Sequence, residues 1–132
     1  MQGDGPNKQV VRRFYAEAIN ARDLSAVDRL LTEDFIHNGE ARGREGQRGA
    51  VQAFLDGFSD LHNEILLILG EDDLVAAHQR WSGTNDGPFL GNDPTGRSVA
   101  FTSTAVLRVE GDQIAEAWDE VDMLGLTSQL SG

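Results

Sequence analysis

The sequence predicts an α+β fold in which three helices of the N-terminal half pack on one face of a mostly antiparallel sheet formed by the C-terminal half. Two observations support this prediction. Apolar residues recur at helical spacing as far as Phe58, and beyond Ser59 the chain changes to long strand-like runs separated by short turns. Because helices come first and strands second, the pattern favours α+β over an alternating α/β arrangement.

Each predicted helix has one apolar face. The first spans about residues 7–19, a short second helix follows Asp23, and the third spans roughly residues 48–58. Charged residues fall outside the apolar stripe in each case, which is typical of amphipathic helices that cover a core. A short extended segment is expected at Phe35–Asn38, between the second and third helices.

Four strands are predicted in the C-terminal half. They cover residues 62–69, 74–84, 98–110 and 113–124. The turns at residues 70–73 and 111–112 are short enough to join antiparallel neighbours. The Gly-, Pro- and Asn-rich segment 83–96 is the long loop of this half, and loops at a sheet rim often carry function. The length of 132 residues matches one domain over residues 1–132.

The composition argues against several classes of function. The formal net charge of −11 disfavours nucleic acid and anionic membranes as partners, since both are held by basic residues. The chain has no cysteine, which excludes disulfides and thiol chemistry. Nucleotide-binding, serine-hydrolase and zincin motifs do not occur. The first eight residues lack an apolar signal stretch and no apolar run is long enough for a bilayer span, so a cytoplasmic protein is expected.

The last predicted strand carries the candidate acid/base group. Side chains alternate along a strand, so Trp118 and Asp122 share one face while Asp119 lies on the other. If the Trp118 face lines a cavity, the apolar setting beside the indole would suit Asp122 for acid/base catalysis. The alternative is that both aspartates are solvated charges at the edge of the sheet.

Three histidines and one tyrosine could work with that carboxylate. His37, His62 and His78 lie in or beside predicted strands, and an imidazole next to a carboxylate forms an oriented acid/base pair. The alternative for each is a half-exposed or hydrogen-bonded structural histidine. Their spacing fits no metal-ligand pattern on one element, so no metal site is predicted. Tyr15, on the apolar face of the first helix, is either a buried hydrogen-bond donor or a core residue.

The order of these residues resembles that of the SnoaL-like polyketide cyclases. The resemblance covers nearly the whole chain, and although each motif is short, their order and spacing together are fairly specific. The matching segments are Phe14-Tyr15, Asp34-Phe35 with the nearby His37, Asp60-Leu61-His62, Asp73–Thr84, Asp93–Gly96, Glu110–Asp122 and Gln129-Leu130.

The resemblance implies a cone-shaped α+β barrel of the nuclear-transport-factor type, whose strongly curved sheet wraps around three helices and encloses a deep apolar cavity. It also implies cofactor-free aldol closure of a polyketide ester, with an aspartate of the last strand as general acid/base. Asp122, four residues after Trp118, matches that aspartate, and His78 and His62 are its expected partners. The side chains expected to bind substrate are Tyr15, Phe35, His37, Asn38, Trp81 and Trp118.

Some positions depart from the family pattern. Asn85 stands where the family often carries a histidine, and the segment Phe35–Gly39 lacks the aspartate base of the related ketosteroid isomerases. Epoxide hydrolases of this fold use two aspartates bridged by an arginine, which Asp122 with Arg80 or Arg108 would imitate only in part. Two alternatives therefore stand beside the cyclase: a non-enzymatic module that binds a small molecule, and a water-activating hydrolase or hydroxylase.

The expected partners are a small apolar or polyketide-like ligand and a second copy of the chain. A curved sheet of this length leaves apolar positions on its convex face uncovered in a monomer. Symmetric pairing of two such faces would cover them, so the sequence predicts a homodimer.

Overall fold

Helices of the first half pack against the concave face of a five-stranded sheet. The computed structural model describes residues 4–131. Its helices are α1 (Pro6–Phe14, continued by a π-helical turn over Tyr15–Asn20), α2 (Ser25–Leu30), α3 (Gly43–Gly57) and α4 (Met123–Ser131). Its strands are β1 (Leu31–His37), β2 (His62–Glu71), β3 (Leu74–Thr84), β4 (Ser98–Glu110) and β5 (Gln113–Val121). The predicted α+β class is confirmed.

The sheet is curved but does not close. Its strand order is β1-β5-β4-β3-β2, so β1 and β2 form the edges. β1 runs parallel to β5, and every other pair of neighbours is antiparallel. Burial alternates along β4, where Phe101 and Leu107 are buried and Thr102 and Thr104 are exposed. The parity of a residue in β3, β4 or β5 therefore indicates whether it faces the helices or the convex surface.

The first helix widens towards its C-terminal end. α1 begins at Pro6, whose fixed φ suits the first position of a helix. A hydrogen bond from the amide N of Ala21 to the carbonyl O of Ala16 (2.9 Å) spans five residues, which is the π-helical pattern. Phe14 and Ile19, also five residues apart, are both buried against the sheet.

Two elements begin earlier than the sequence suggested. β1 starts at Leu31 instead of Phe35, and α3 starts at Gly43 instead of near residue 48. The glycines in this stretch are typical of a loop, but Gly43 and Gly46 lie in the first turn of α3. Gly43 adopts a φ of +73°, and a Cβ at Gly46 would lie 2.5 Å from Cγ of Arg42. Both positions therefore need glycine to start α3 beside the Arg42 side chain.

The prediction of a last strand reaching Leu124 is wrong. β5 ends at Val121, and a fourth helix follows it. Oδ1 of Asp122 accepts a hydrogen bond from the amide N of Gly125 (2.9 Å), as a residue capping a helix N-terminus does. Leu126 of this helix is fully buried. No helix in the described part of the chain is both long and apolar enough to cross a bilayer.

Asn85 organises the long loop between β3 and β4. Its side chain is buried, and its Nδ2 donates to the carbonyl oxygens of Gly57 (3.1 Å) and Gly87 (2.9 Å). Its Oδ1 accepts from the amide N of Thr95 (2.9 Å). The residue that replaces the expected histidine is thus a structural amide that ties this loop to the end of α3.

Candidate active site

A cavity of about 290 Å³ lies between the helices and the concave face of the sheet. Its polar groups belong to Tyr15, His37, Arg42, Gln47 and Asp119. The remaining wall is apolar and comprises Phe14, Ile19, Ala50, Val51, Phe54, Trp81, Phe101 and Val121. An adjoining recess of about 30 Å³ extends the cavity into the core. An apolar space with a few polar groups suits a small apolar ligand held in one orientation.

Trp81 forms the aromatic wall of the cavity. Its ring stacks on Phe101 with centroids 6.0 Å apart and an interplanar angle of 3°, and Tyr15 meets it edge-on at 6.0 Å. The indole N–H donates to Oγ of Ser103 (2.8 Å), so its hydrogen-bonding capacity is already used. Trp81 therefore offers a ligand an apolar surface rather than a donor.

Asp119 and His37 face the cavity from neighbouring strands. Asp119 lies opposite Ala105 in the register of β5 with β4, and His37 lies beside Ala117 in the register of β1 with β5. Nε2 of His37 is 3.9 Å from Oδ2 of Asp119, which is too long for a direct hydrogen bond. Oδ1 of Asp119 is buried and has no hydrogen-bond partner among residues 4–131. Both groups therefore keep hydrogen-bonding capacity for a ligand.

Asn38 fixes the backbone of Asp119. Its Oδ1 accepts from the amide N of Asp119 (2.7 Å), and its Nδ2 donates to the carbonyl O of Asp119 (3.1 Å). Asn38 adopts a φ of +49°, a left-handed conformation that asparagine tolerates better than most residues. The side chain is exposed, so Asn38 positions the carboxylate from outside the cavity.

Tyr15 places a neutral phenol in the cavity. Burial raises its pKa above the usual range, and the nearby negative charge of Asp119 raises the pKa further, while the Gln79 side chain lowers it. Gln79 is fully buried, and its Oε1 accepts from Nδ2 of Asn63 (2.7 Å). Because the phenol keeps its proton at neutral pH, Tyr15 is available there as a hydrogen-bond donor.

Comparison with known proteins establishes the relationship suggested by the motifs. The family model described as SnoaL-like polyketide cyclase matches residues 9–130. The chain belongs to the SnoaL-like polyketide cyclase family. No curated protein sequence matches it.

Solved structures of SnoaL-like architecture superpose on nearly the whole chain. TsrD from Streptomyces laurentii is 30% identical with a TM-score of 0.87, and the match covers 98% of each chain. IdmH, a candidate polyketide cyclase from Streptomyces antibioticus, is 28% identical with a TM-score of 0.84 over 96% of this chain and 99% of its own. AclR, a candidate hydroxylase from Streptomyces galilaeus, has the same identity and TM-score over 95% of this chain and 80% of its own.

The expectation that the Trp118 face of β5 lines the SnoaL-like cavity is wrong. Trp118 is 43% exposed and lies opposite Val106 on the convex face. Asp122 is exposed beyond the end of the strand, where it caps α4, and does not line the cavity. Glu116 and Glu120 share the Trp118 face, and this repetition of acidic residues was the signal that it is solvated. The cavity carboxylate belongs to Asp119.

The structure also places two of the expected histidines away from the cavity. His62 is exposed at the start of β2. His78 lies on the convex face, where its Nδ1 is 2.7 Å from Oγ1 of Thr104. Neither can pair with the carboxylate of Asp119, because the sheet lies between them and the cavity. His37 is the imidazole that the structure brings next to Asp119.

Some of the other expected residues line the cavity, and others lie around it. Tyr15 and Trp81 line the cavity, and Phe35 is buried against the adjoining recess. Arg42 and Gln79 are not among the site residues predicted from the sequence. Gln79 shares its strand face with Trp81, so alternation could have found it, whereas the glycine-rich segment around Arg42 carries no periodic signal.

Titration of Tyr15 tests the proximity of its phenol to Asp119. Tyr15 is the only tyrosine of the sequence, so phenolate absorbance reports on it alone. We expect ionisation well above the usual pKa of about 10 in the native protein and near that value in denaturant. Because the native pKa is raised, the stability linked to this group is fully present below about pH 10 and is lost as the pH rises further.

The Asp119→Asn variant should lower the native pKa of Tyr15, since it removes a negative charge that disfavours the phenolate. The Asp122→Asn variant makes the same chemical change outside the cavity and should leave that pKa where it is. Equal Tyr15 titration curves for the wild type and the Asp119→Asn variant would contradict the described geometry.

Proposed function

We propose that this chain is a cofactor-free enzyme that closes a ring in an apolar, carbonyl-bearing substrate by an intramolecular aldol step, with Asp119 as the acid/base. The observation that supports it most is a carboxylate with a buried, unpartnered oxygen facing an apolar cavity beside an imidazole and a phenol. Membership of the SnoaL-like polyketide cyclase family and similarity to the candidate cyclase IdmH support the class of reaction.

In the proposed reaction, the substrate first loses one proton to Asp119 and later regains one from it. Asp119 takes a proton from a carbon next to a substrate carbonyl, and the electron pair left behind forms an enolate. The enolate carbon attacks a second carbonyl carbon of the same molecule, so that a carbon–carbon bond forms and that carbonyl oxygen becomes an alkoxide. The alkoxide takes a proton from the carboxylic acid of Asp119. The enzyme thereby returns to its starting state.

Two donors beside the carboxylate would stabilise the negative charge that develops on the substrate oxygens. The phenol of Tyr15 is neutral and buried, and the imidazole of His37 lies 3.9 Å from the carboxylate without a direct hydrogen bond to it. A substrate carbonyl oxygen bound by either donor would hold the adjacent carbon near Asp119. Such donors act most strongly beside an apolar wall, and the stacked rings of Trp81 and Phe101 form part of such a wall here.

The Asp119→Asn variant should lose the proton-transfer step while keeping the fold, because the change is nearly isosteric and removes only the basicity. A simple probe is 2-acetylnaphthalene in heavy water, whose methyl protons exchange for deuterium through the enolate and can be followed by nuclear magnetic resonance. We expect wild-type protein to accelerate the exchange and Asp119→Asn to lower the rate constant by at least about 100-fold.

The Asp122→Asn variant is the matched control and should exchange the probe within a few-fold of wild type, since Asp122 caps α4 in solvent. Loss of exchange in this variant with full activity in Asp119→Asn would reverse the assignment. Binding of the probe by the wild type without any acceleration would instead favour the alternative of a non-enzymatic binding module.

We also propose that the chain forms a homodimer through the convex face of the sheet. Trp118, Val106, Ala76 and Leu69 are consecutive cross-strand neighbours and form one apolar row over four strands. Trp118 is 43% exposed and Leu69 is 59% exposed. A row of this kind can meet its own copy around a two-fold axis, which would remove its apolar surface from water.

A charge at the β2 end of this row should separate the two copies. We expect Leu69→Glu to convert a dimer into a monomer in light scattering coupled to size-exclusion chromatography, because pairing would bury two unpaired carboxylates. Leu90→Glu is the matched control, since Leu90 is 60% exposed in the loop between β3 and β4. A wild-type protein that is monomeric at all tested concentrations would refute the dimer.

A further inference from the structure

Arg42 brings a positive charge to the wall of the cavity without an acidic partner. In a chain of net charge −11, several arginines of the described surface pair with carboxylates, as Arg29 and Arg108 do. No carboxylate lies within ion-pair distance of Arg42 in the part of the chain that the structure describes. Its side-chain hydrogen bond goes to a neutral group, from Nη1 to Oε1 of Gln47 (2.8 Å).

The backbone before α3 aims this side chain at the cavity. His37 and Glu40 exchange two backbone hydrogen bonds of 2.9 Å each, and the amide N of Arg42 donates to the carbonyl O of Glu40 (2.7 Å). The Arg42 stem then passes over Gly46, where a Cβ would lie 2.5 Å from its Cγ. The tight turn therefore sets where the Arg42 side chain begins, and the absence of a Cβ at Gly46 leaves room for its aliphatic stem.

Arg42 retains free donors after its contact with Gln47. A guanidinium carries five N–H donors in a planar fork that fits a carboxylate with two parallel hydrogen bonds. One donor goes to Gln47, whose carbonyl oxygen fixes the orientation of the group without neutralising its charge. Charge-assisted hydrogen bonds of this kind gain strength where apolar walls exclude water, and most of this cavity wall is apolar.

The two charged groups of the cavity occupy different positions. Arg42 and Asp119 both line it, yet they are not within ion-pair distance of each other. A ligand that reaches both would place an anion at Arg42 and its reactive carbon at Asp119. The separation of these two charged groups would therefore set the orientation of such a ligand in the cavity, with its anionic end at Arg42 and its reactive carbon at Asp119.

We infer that Arg42, oriented by Gln47, binds a carboxylate of the substrate. Resting on the function proposed above, this makes the substrate an apolar carbonyl compound that carries a free carboxylic acid rather than only an ester. An ester presents no negative charge to the guanidinium and would leave it without a counter-ion in the cavity wall.

Calorimetric titration with 2-naphthoate and with methyl 2-naphthoate tests the inference, because the two probes differ in the charge of one group. We expect the wild type to bind the acid at least about 10-fold more tightly than the ester, as one charge-assisted contact supplies. Arg42→Gln should abolish this preference. Arg42→Lys, which keeps the charge but loses the planar fork, should retain part of it.

Two further variants separate binding from structure. Gln47→Glu is nearly isosteric and gives Arg42 a carboxylate of the protein itself, so it should weaken binding of the acid and leave binding of the ester unchanged. Arg80→Gln removes the same charge as Arg42→Gln from the exposed convex face and should leave the preference intact. Thermal unfolding of each variant establishes that it is folded.

Equal affinity of the wild type for acid and ester, or an unchanged preference in Arg42→Gln, would overturn the inference. The titrations measure no turnover, so they do not depend on the catalytic role proposed for Asp119. A preference for the acid that depends on Arg42, in a protein that accelerates no exchange, would contradict the proposed catalysis and leave carboxylate binding standing.

Discussion

The register of β5 against its two neighbours determines which carboxylate reaches the cavity. It sets Asp119 opposite Ala105 on one side and brings His37 of β1 to the same face on the other. A shift by one residue would turn Asp119 to the convex surface and bring an adjacent side chain inwards. Asn38 reinforces this register, because its side chain binds both the amide N and the carbonyl O of Asp119.

The groups around that carboxylate form a consistent chemical set. A neutral phenol at Tyr15 and an imidazole at His37 can bind substrate oxygens, while Trp81 supplies an apolar surface whose N–H is already bonded to Ser103. Arg42 adds one positive charge at a separate position of the wall. The proposed reaction needs one acid/base group and hydrogen-bond donors for the negative charge that develops on the substrate oxygens. It also needs an apolar cavity that holds the ligand in one orientation.

The sequence predicted the fold better than the site. Strand-like runs bounded by turns predict the limits of β3 and β4 correctly. They do not predict α4, because Asp122 continues the run of the last strand although it caps this helix. The indole of Trp118 suggests that its face of β5 lines the cavity, but Trp118 lies on the convex face. The alternation of side chains along a strand shows which residues share a face of the sheet, but it does not show which face the helices cover. The position of the Arg42 side chain depends on a tight turn and on its contact with Gly46. Neither feature leaves a periodic signal in the sequence.

In the proposed reaction, Asp119 is the group that meets the reactive carbon of the substrate. A crystal structure of the protein with 2-acetylnaphthalene tests this directly. We predict that the methyl carbon lies within about 3.5 Å of a carboxylate oxygen of Asp119, a distance suited to reaction. The ring should lie against Trp81, with the ketone oxygen bound by Tyr15 or His37. A ligand that occupies the cavity with its methyl carbon turned away from Asp119, or that binds beside Asp122 instead, would contradict the account.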